Sequence, residues 1–324
     1  MAMATQRYGI TIPLDGVSLP GHEAWYHRLA DLGYTDVWSA ETNGADGFTP
    51  LALAAAWEPR LNLGIAVAPA YTRGPALMAQ TVASIADAAP GRFTFGLGSS
   101  SNVIVERWNA TEFDRPYYKV RDMLAFLKLA LSGEKVDQDF DTFSVKGFRL
   151  ALVPEQRPTI LLAALRPGML KLAGSMADGA ILNWLSAEDV TKAVAEVGTY
   201  QEIAARIFVV PIEDEGLART IGRRMITSYL TVPVYAEYHR WLGRGDVLQP
   251  MWDAWEAGDR EAANSAIPDS VVDELIVHGS LDACREHVQR YVDHGITIPA
   301  IAVVNPFGTP EDLIGIVEGL SPKA

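Results

Sequence analysis

Phe93-Thr94-Phe95-Gly96-Leu97-Gly98-Ser99-Ser100-Ser101-Asn102 is a short apolar strand that empties into a loop of small and hydroxyl-bearing residues. Further along, Thr159–Ala163 empties in the same way into Ala164-Leu165-Arg166-Pro167-Gly168. Each unit leads from a strand through a loop toward a helix. Each loop offers backbone N–H groups together with hydroxyls or a cation, a combination that suits a phosphate held at a helix N-terminus. The recurrence of the unit predicts an α/β scaffold that holds a phosphorylated cofactor.

The same alternation extends in both directions. Residues 8–12 form an apolar run that ends at Pro13. Residues 22–32 read as a helix with Trp25, Leu29 and Leu32 on one face, stopped by Gly33. Strands are predicted at Asp36–Ser39, 61–67, 93–97, Thr159–Ala163, 179–182, 206–210 and 299–304. Helices are predicted at 49–56, Pro75–Ala88, 117–131, 169–176, 186–200 and Leu281–Asp293, with Thr309-Pro310 opening the last. Ser186, with Asp189 three residues on, is the N-cap signal of one of them.

Two stretches break the rhythm. Phe140, Phe143, Val145 and Phe148 around Lys146-Gly147 suggest a strand pair inserted within 133–158. Residues 213–275 read as a long helical region carrying Trp241, Trp252 and Trp255, which pack its helices. Alternating strands and helices call for a parallel sheet. The expected fold is one (β/α)8 TIM barrel domain over 1–324. It carries a helical lid inserted after strand seven and a short strand insertion after helix four. A doubly wound open sheet is the alternative.

Of the 324 residues, 49% are hydrophobic and 21% charged, and the formal net charge is −13. That acidity argues against nucleic acid and anionic membranes as partners. No apolar run of about 18 residues is present. A cytoplasmic enzyme acting on a small molecule is expected, with a homodimer as its assembly. The single cysteine, Cys284, reads as a packed helix residue rather than a reactive thiol.

In a barrel of this kind, chemistry gathers at the carboxyl ends of the strands. Those ends supply Thr11, Glu41, Thr42, the Ala66-Val67 region, Ser99 to Asn102, Ala164 to Arg166, Asn183-Trp184 and Asn305-Pro306. The six histidines all fall in helices or connections, and none is expected to end a strand. A histidine metal site or a Ser-His-Asp triad therefore has little support, and no metal is expected. Gly96-Leu97-Gly98 lacks the third glycine of a dinucleotide fingerprint, because position 101 is Ser101. Glycoside hydrolysis wants two carboxylates at the mouth, and only Glu41 fits, with Glu106 farther off. A mouth so poor in acids and bases suits a planar ring that brings its own chemistry. Bland readings stand beside these. Glu41 could cap the helix near Thr49, Arg166 could pair with Glu155, Ser99 to Asn102 could be an ordinary loop, and Trp38 and Trp184 could be core.

Taken in order, these residues resemble the bacterial luciferase-like superfamily, and within it the deazaflavin (coenzyme F-420)-dependent oxidoreductases. The resemblance runs through Val37-Trp38-Ser39-Ala40-Glu41, Leu63-Gly64-Ile65-Ala66-Val67-Ala68-Pro69 and Tyr71-Thr72-Arg73. It continues through Gly91-Arg92-Phe93, Gly96-Leu97-Gly98, Glu106-Arg107-Trp108-Asn109, Phe113-Asp114-Arg115-Pro116 and Leu172-Ala173-Gly174, closing on Ala177-Asp178-Gly179. It implies a (β/α)8 barrel, a non-prolyl cis peptide at Ala66-Val67 backing the cofactor ring, and hydride transfer as the activity. It also implies that Glu41 contacts the ring or its side chain. Ser99, Ser100, Ser101 and Asn102 would lie along ring and phosphate, and Ala164, Leu165 and Arg166 would hold the phosphate. Glu41, Thr42 and Asn102 become the candidate catalytic residues. Thr42 stands where sugar-phosphate and secondary-alcohol dehydrogenases of the family carry His. Ser99 replaces a Glu of the sugar-phosphate enzymes, and Thr11 an acid of the methylenetetrahydromethanopterin reductases. Without a dedicated base, reduction of a C=C, C=N or C=O bond is expected, with water or Tyr71 supplying the proton. FMN is the alternative cofactor, in a monooxygenase. A non-catalytic cofactor-binding homologue is a further alternative.

Overall fold

The computed structural model describes residues 6–198, 201–305 and 308–324. It opens with β1 (Gly9–Thr11), α1 (His22–Asp31), β2 (Asp36–Ser39), α2 (Thr49–Trp57), β3 (Asn62–Pro69), α3 (Pro75–Ala88) and β4 (Phe93–Gly98). A π-helical turn, Val103–Trp108, precedes α4 (Pro116–Leu131). The antiparallel pair β5 (Val136–Asp139) and β6 (Ser144–Phe148) follows as a separate sheet. The alternation resumes with β7 (Thr159–Ala163), α5 (Pro167–Met176), β8 (Gly179–Asn183), α6 (Ala187–Val197) and β9 (Glu202–Val210). The helical insertion comprises α7 (Glu215–Leu230), α8 (Pro233–Leu242), α9 (Gly245–Glu256), α10 (Arg260–Ser265) and α11 (Asp269–Leu275). β10 (Val277–His278), α12 (Leu281–Asp293), β11 (Ile298–Val303) and α13 (Pro310–Gly319) complete the chain.

Among the described residues, β1, β2, β3, β4, β7, β8, β9 and β11 pair in parallel, each with the next, and β11 returns to β1. The sheet therefore closes as a (β/α)8 barrel, and the open alternative is excluded. β10 adds two residues beside the end of β9. No described helix is long and apolar enough to cross a membrane.

Successive side chains of a strand face opposite ways, and here both faces are buried. On β9, Ile203, Ala205, Ile207 and Val209 pack toward the helices, whereas Ala204 joins the barrel interior. The interior is filled by Trp38, Leu161, Ile181, Ala204, Ile298 and Ala300. Trp38 is 1% exposed. It fits because its neighbours are bare: a Cβ on Gly64 would lie 2.3 Å from its ring, and one on Gly9 2.7 Å.

Several boundaries shift by a residue or two from those the sequence predicts, and two of the shifts bear on the site. α5 begins at Pro167, two residues early, which makes Arg166 its N-cap residue. β9 begins at Glu202 rather than Arg206. Its first half, Glu202 to Ala205, has little strand preference apart from Ile203 and is extended because it pairs with both β8 and β11. The helix predicted over 186–200 ends at Val197, and residues 199 and 200 lie outside the described residues, as does Pro306 at the end of strand eight. The Ser186–Asp189 capping box forms as its spacing predicts. Cys284 is buried, and burial pushes its thiol up to about 12, as befits a packed residue.

The helical insertion is pinned to the barrel by polar contacts. Arg244 bridges Asp189 and Glu274, at 2.7 Å to each. His239 Nε2 donates to the Trp184 carbonyl at 2.9 Å, while Trp184 packs its ring on Phe208 and Tyr229. Trp252 Nε1 donates to the Leu230 carbonyl within the insertion.

Two stability outcomes follow. Gly64→Ala drives a methyl into Trp38 and should destabilise by about 1–3 kcal/mol. Combined with Trp38→Leu it should cost less than the sum of the two changes. Urea unfolding of the cycle measures this, and strict additivity would refute the packing account. His239 is held neutral, pushed down to about 3 chiefly by burial and then by Arg244. The unfolded chain therefore gains a proton near pH 6.5 that the folded chain refuses. Stability present above that pH should be lost as pH falls toward 3, by up to about 1.4 kcal/mol per pH unit for this group. Urea midpoints of His239→Gln should fall less steeply over that window than those of the parent.

Candidate functional site

The carboxyl ends of the strands surround a shallow depression floored by Trp38 and lined by Thr11, Ser39, Ala40, Ala66 and Arg206. Apart from Arg206, this lining is uncharged and, Trp38 and Ile181 aside, made of small side chains. β3 bulges here. Its register against β4 shifts between Ile65 and Ala68, and the Ala66-Val67 peptide is cis, as the family resemblance implies. The Glu41 backbone N–H reaches the Val67 carbonyl at 3.4 Å, which brings Glu41, Ala66 and Val67 together.

The glycines of the Gly96-Leu97-Gly98 run accommodate this bulge. A Cβ on Gly96 would lie 2.0 Å from the Ile65 carbonyl oxygen, and one on Gly98 2.6 Å from the Val67 side chain. Both positions lie in β4, ahead of the loop, so their requirement for glycine comes from the neighbouring strand.

Glu41 is not a helix cap. Asp46 does that work, its Oδ1 accepting from the N–H groups of Phe48 and Thr49 at 2.9 and 3.0 Å. Glu41 Oε2 instead accepts from Arg73 Nη1 at 2.6 Å, with side-chain exposures of only 12% and 18%. The Arg73 guanidinium also lies 4.6 Å from the Phe48 ring centroid. Arg73 was not among the predicted site residues. The signal for it was a half-buried carboxylate at a strand end, which calls for a cation. Thr42 is exposed in the loop beyond Glu41.

Ser99, Ser100, Ser101 and Asn102 are half-buried and leave β4, while Ala164, Leu165 and Arg166 leave β7, its neighbour in the sheet. Ser100 adopts a left-handed backbone. Ser101 Oγ accepts from the Ile104 N–H, and Asn102 precedes the π-helical turn without a side-chain capping bond; local pattern did not announce that turn. Glu106 is exposed on that turn. Arg166 is exposed and, among the described residues, makes no ion pair with Glu155 or any other acid. Tyr71 donates its hydroxyl to the Asp114 carbonyl at 2.6 Å, and burial pushes it up to about 12, so its proton is committed.

One expectation needs correcting. His278 does end a strand, the two-residue β10. So short a strand carries no periodicity, and it forms only by pairing with β9. Its Nε2 meets Asp273 Oδ1 at 2.9 Å, and Asp273 is also held by Arg219, so the ring engages the insertion.

Arg206 is the second residue that sequence patterning missed. With β9 starting at Glu202, Arg206 stands mid-strand, opposite Asn183 at the end of β8. Its Nε is buried without a partner, as is Asn183 Oδ1. Asn183 Nδ2 donates to the Tyr235 hydroxyl at 3.2 Å.

The sequence profile described as luciferase-like monooxygenase matches residues 7–297. A 5,10-methylenetetrahydromethanopterin reductase of Methanolobus tindarius is 24% identical over 313 residues, covering 92% of this chain and 93% of that protein. The solved structure of the coenzyme F-420-dependent tetrahydromethanopterin reductase of Methanopyrus kandleri aligns with a TM-score of 0.78 at 17% identity over 99% of both chains. That of an F-420-dependent secondary alcohol dehydrogenase with an F-420–acetone adduct aligns at 0.75 and 14%, again over 99% of both. At such identities the two structures speak for the fold.

The Glu41–Arg73 pair yields a direct test. Arg73→Leu leaves a mostly buried carboxylate without its cation and should destabilise by about 1–3 kcal/mol, less than for a fully buried pair. Adding Glu41→Gln should restore part of that loss. A double-mutant cycle by urea unfolding reads the coupling, and zero coupling would remove the pair from the architecture of the mouth.

Proposed function

The chain belongs to the luciferase-like monooxygenase family, and on that premise we propose that it is a deazaflavin-dependent oxidoreductase that exchanges a hydride between coenzyme F-420 and a small organic substrate. The observation that carries this reading is the platform at the mouth: small side chains over Trp38, backed by the bulge at Ala66-Val67. Such a surface accepts a planar ring, and added Cβ atoms at Gly96 or Gly98 would disturb its backing. The named F-420-dependent relatives and fold neighbours support the same cofactor.

The residues divide the work. Ala66 and Val67 back the ring, and Glu41, neutralised by Arg73, borders it without serving as a free base. Ser99 to Asn102 lie along ring and phosphate. Ala164, Leu165 and Arg166 hold the phosphate at the start of α5, where the Arg166 charge and the helix dipole favour an anion. Bound there, the coenzyme supplies hydride chemistry that no protein side chain offers. Among the described residues no histidine lines the depression, and Tyr71 keeps its proton. Reduction of a C=C, C=N or C=O bond, with water as proton source, therefore fits better than alcohol oxidation. Thr42 and Asn102 complete the candidate catalytic set at the rim. A cytoplasmic homodimer belongs to this reading, and exposed Leu77, Tyr117 and Tyr118 on the packed helices α3 and α4 offer apolar surface for it.

The family's monooxygenase description favours FMN as the second reading. Fluorescence titration with each cofactor separates the two: micromolar FMN binding with no F-420 binding would reverse the assignment. In the same assay Arg166→Ala should weaken F-420 binding about tenfold or more, since a charge-assisted bond is worth about 1.5–3 kcal/mol. A coenzyme fragment without phosphate should bind parent and variant alike. Unchanged affinity of Arg166→Ala for the intact coenzyme would move the phosphate site, with the region after strand seven near Gly279-Ser280 next in line. Turnover of an F-420-dependent substrate, lost in Glu41→Gln or Asn102→Ala, would exclude a non-catalytic homologue.

A further inference from the structure

A second cation sits in the mouth, and nothing among the described residues balances it. Arg206 projects from mid-β9 on the same face as Ala204, whose side chain joins the barrel interior, and it lines the depression beside Ala66, Thr11 and Ala300. It is half-buried, and among the described residues it makes no ion pair. Its guanidinium lies 4.8 Å from the Phe208 ring centroid, a contact that orients the plane but leaves the charge unmatched. Its Nε is buried with no acceptor. Arg73, by contrast, is matched by Glu41. A partly desolvated cation without a counter-charge is costly, and proteins keep such a group when a ligand supplies the anion.

We infer that Arg206 and Asn183 form a subsite for the carboxylate of a small substrate. Guanidinium and carboxylate are planar and match through two parallel hydrogen bonds, a geometry that lysine cannot reproduce. Asn183, opposite Arg206 on β8, supplies the adjoining polar group. Its amide can take either orientation about the Tyr235 hydroxyl. With the oxygen accepting from Tyr235, the NH2 turns toward the ligand and stands beside Arg206 as a further donor. That arrangement gives the now unpartnered end of Asn183 a partner and keeps its bond with the Tyr235 hydroxyl. Ala66 lines the same depression, so a carboxylate on Arg206 is within a small molecule's length of the ring platform. The substrate class is therefore a small acid whose reducible bond lies close to its carboxylate, such as a 2-enoic or 2-oxo acid. Calling the bound acid a substrate rests on the proposed oxidoreductase function; its capture by Arg206 does not.

The test measures binding to the full-length protein without cofactor, by calorimetry and by thermal shift. The probes are crotonate, pyruvate and benzoate, each beside its neutral amide. The parent should bind at least one carboxylate and discriminate against the corresponding amide by about tenfold or more. Arg206→Gln should abolish that preference. Arg206→Lys, which keeps charge and most of the bulk, should retain only part of it, and serves as the informative variant if the glutamine form does not fold. Tyr235→Phe should weaken carboxylate binding by less than Arg206→Gln does. Equal binding of acid and amide by the parent, binding of none of the acids, or undiminished acid binding by Arg206→Gln overturns the subsite. So does loss of F-420 affinity in Arg206→Gln with carboxylate binding intact, which would assign Arg206 to the coenzyme. Arg206-dependent carboxylate binding in a protein that takes no F-420 would leave the subsite standing and remove the proposed cofactor.

Discussion

The architecture turns on one indole. Trp38 crosses the barrel interior between Gly9 and Gly64, and its ring occupies the space that their side chains would otherwise fill. A barrel interior is normally closed by layers of branched side chains from alternate strands. Here one large ring does much of that filling, with Leu161, Ile181 and Ile298 around it. The layer above can then consist of Thr11, Ala40 and Ala66 without leaving a hole through the protein. The mouth is open because the floor is solid.

Above that floor, charge is sparse and unevenly matched. Glu41 and Arg73 neutralise each other at the edge of the bulge, which leaves the platform without a net local charge from that pair. Arg206 stands among small apolar side chains and the uncharged Thr11 and Ser39, with no acid paired to it among the described residues. Arg166 stands at the rim, exposed and likewise unmatched. Two cations without acidic partners among the described residues, one at the rim and one inside, are what the proposed coenzyme phosphate and substrate carboxylate would meet. In a chain with a net charge of −13, such concentrated positive charge also draws anions to the mouth against the background field.

Much of this was readable beforehand. Helix caps, apolar periodicity and turn residues are local, so the order of strands and helices, the strand-pair insertion and the helical insertion appear in the chain itself. Glu41 and the two βα loops were legible because strand ends are where such a fold keeps its polar groups. Arg206 was hidden by a strand boundary. Ala204 and Ala205 carry little strand preference, so the strand seemed to begin at Arg206, at the end of the barrel that serves stability. Pairing with β8 and β11 extends it backward and lifts Arg206 to the level of the site. His278 was hidden for a related reason, since two residues show no period.

The sequence by itself determined the alternation of strands and helices, and with it the expectation of a barrel whose polar residues gather at the carboxyl ends of the strands. Those features rest on periods of two and 3.6 residues that each segment carries alone. The choice of a closed over an open sheet came from strand pairing. Only the tertiary structure decided which residues meet. Glu41 finds Arg73 across 32 positions, Gly64 yields to Trp38, Gly96 yields to the Ile65 carbonyl, and Asn183 faces Arg206. These meetings depend on register, on the bulge in β3 and on closure of the sheet, which are properties of neighbouring strands taken together. No single stretch of chain contains them.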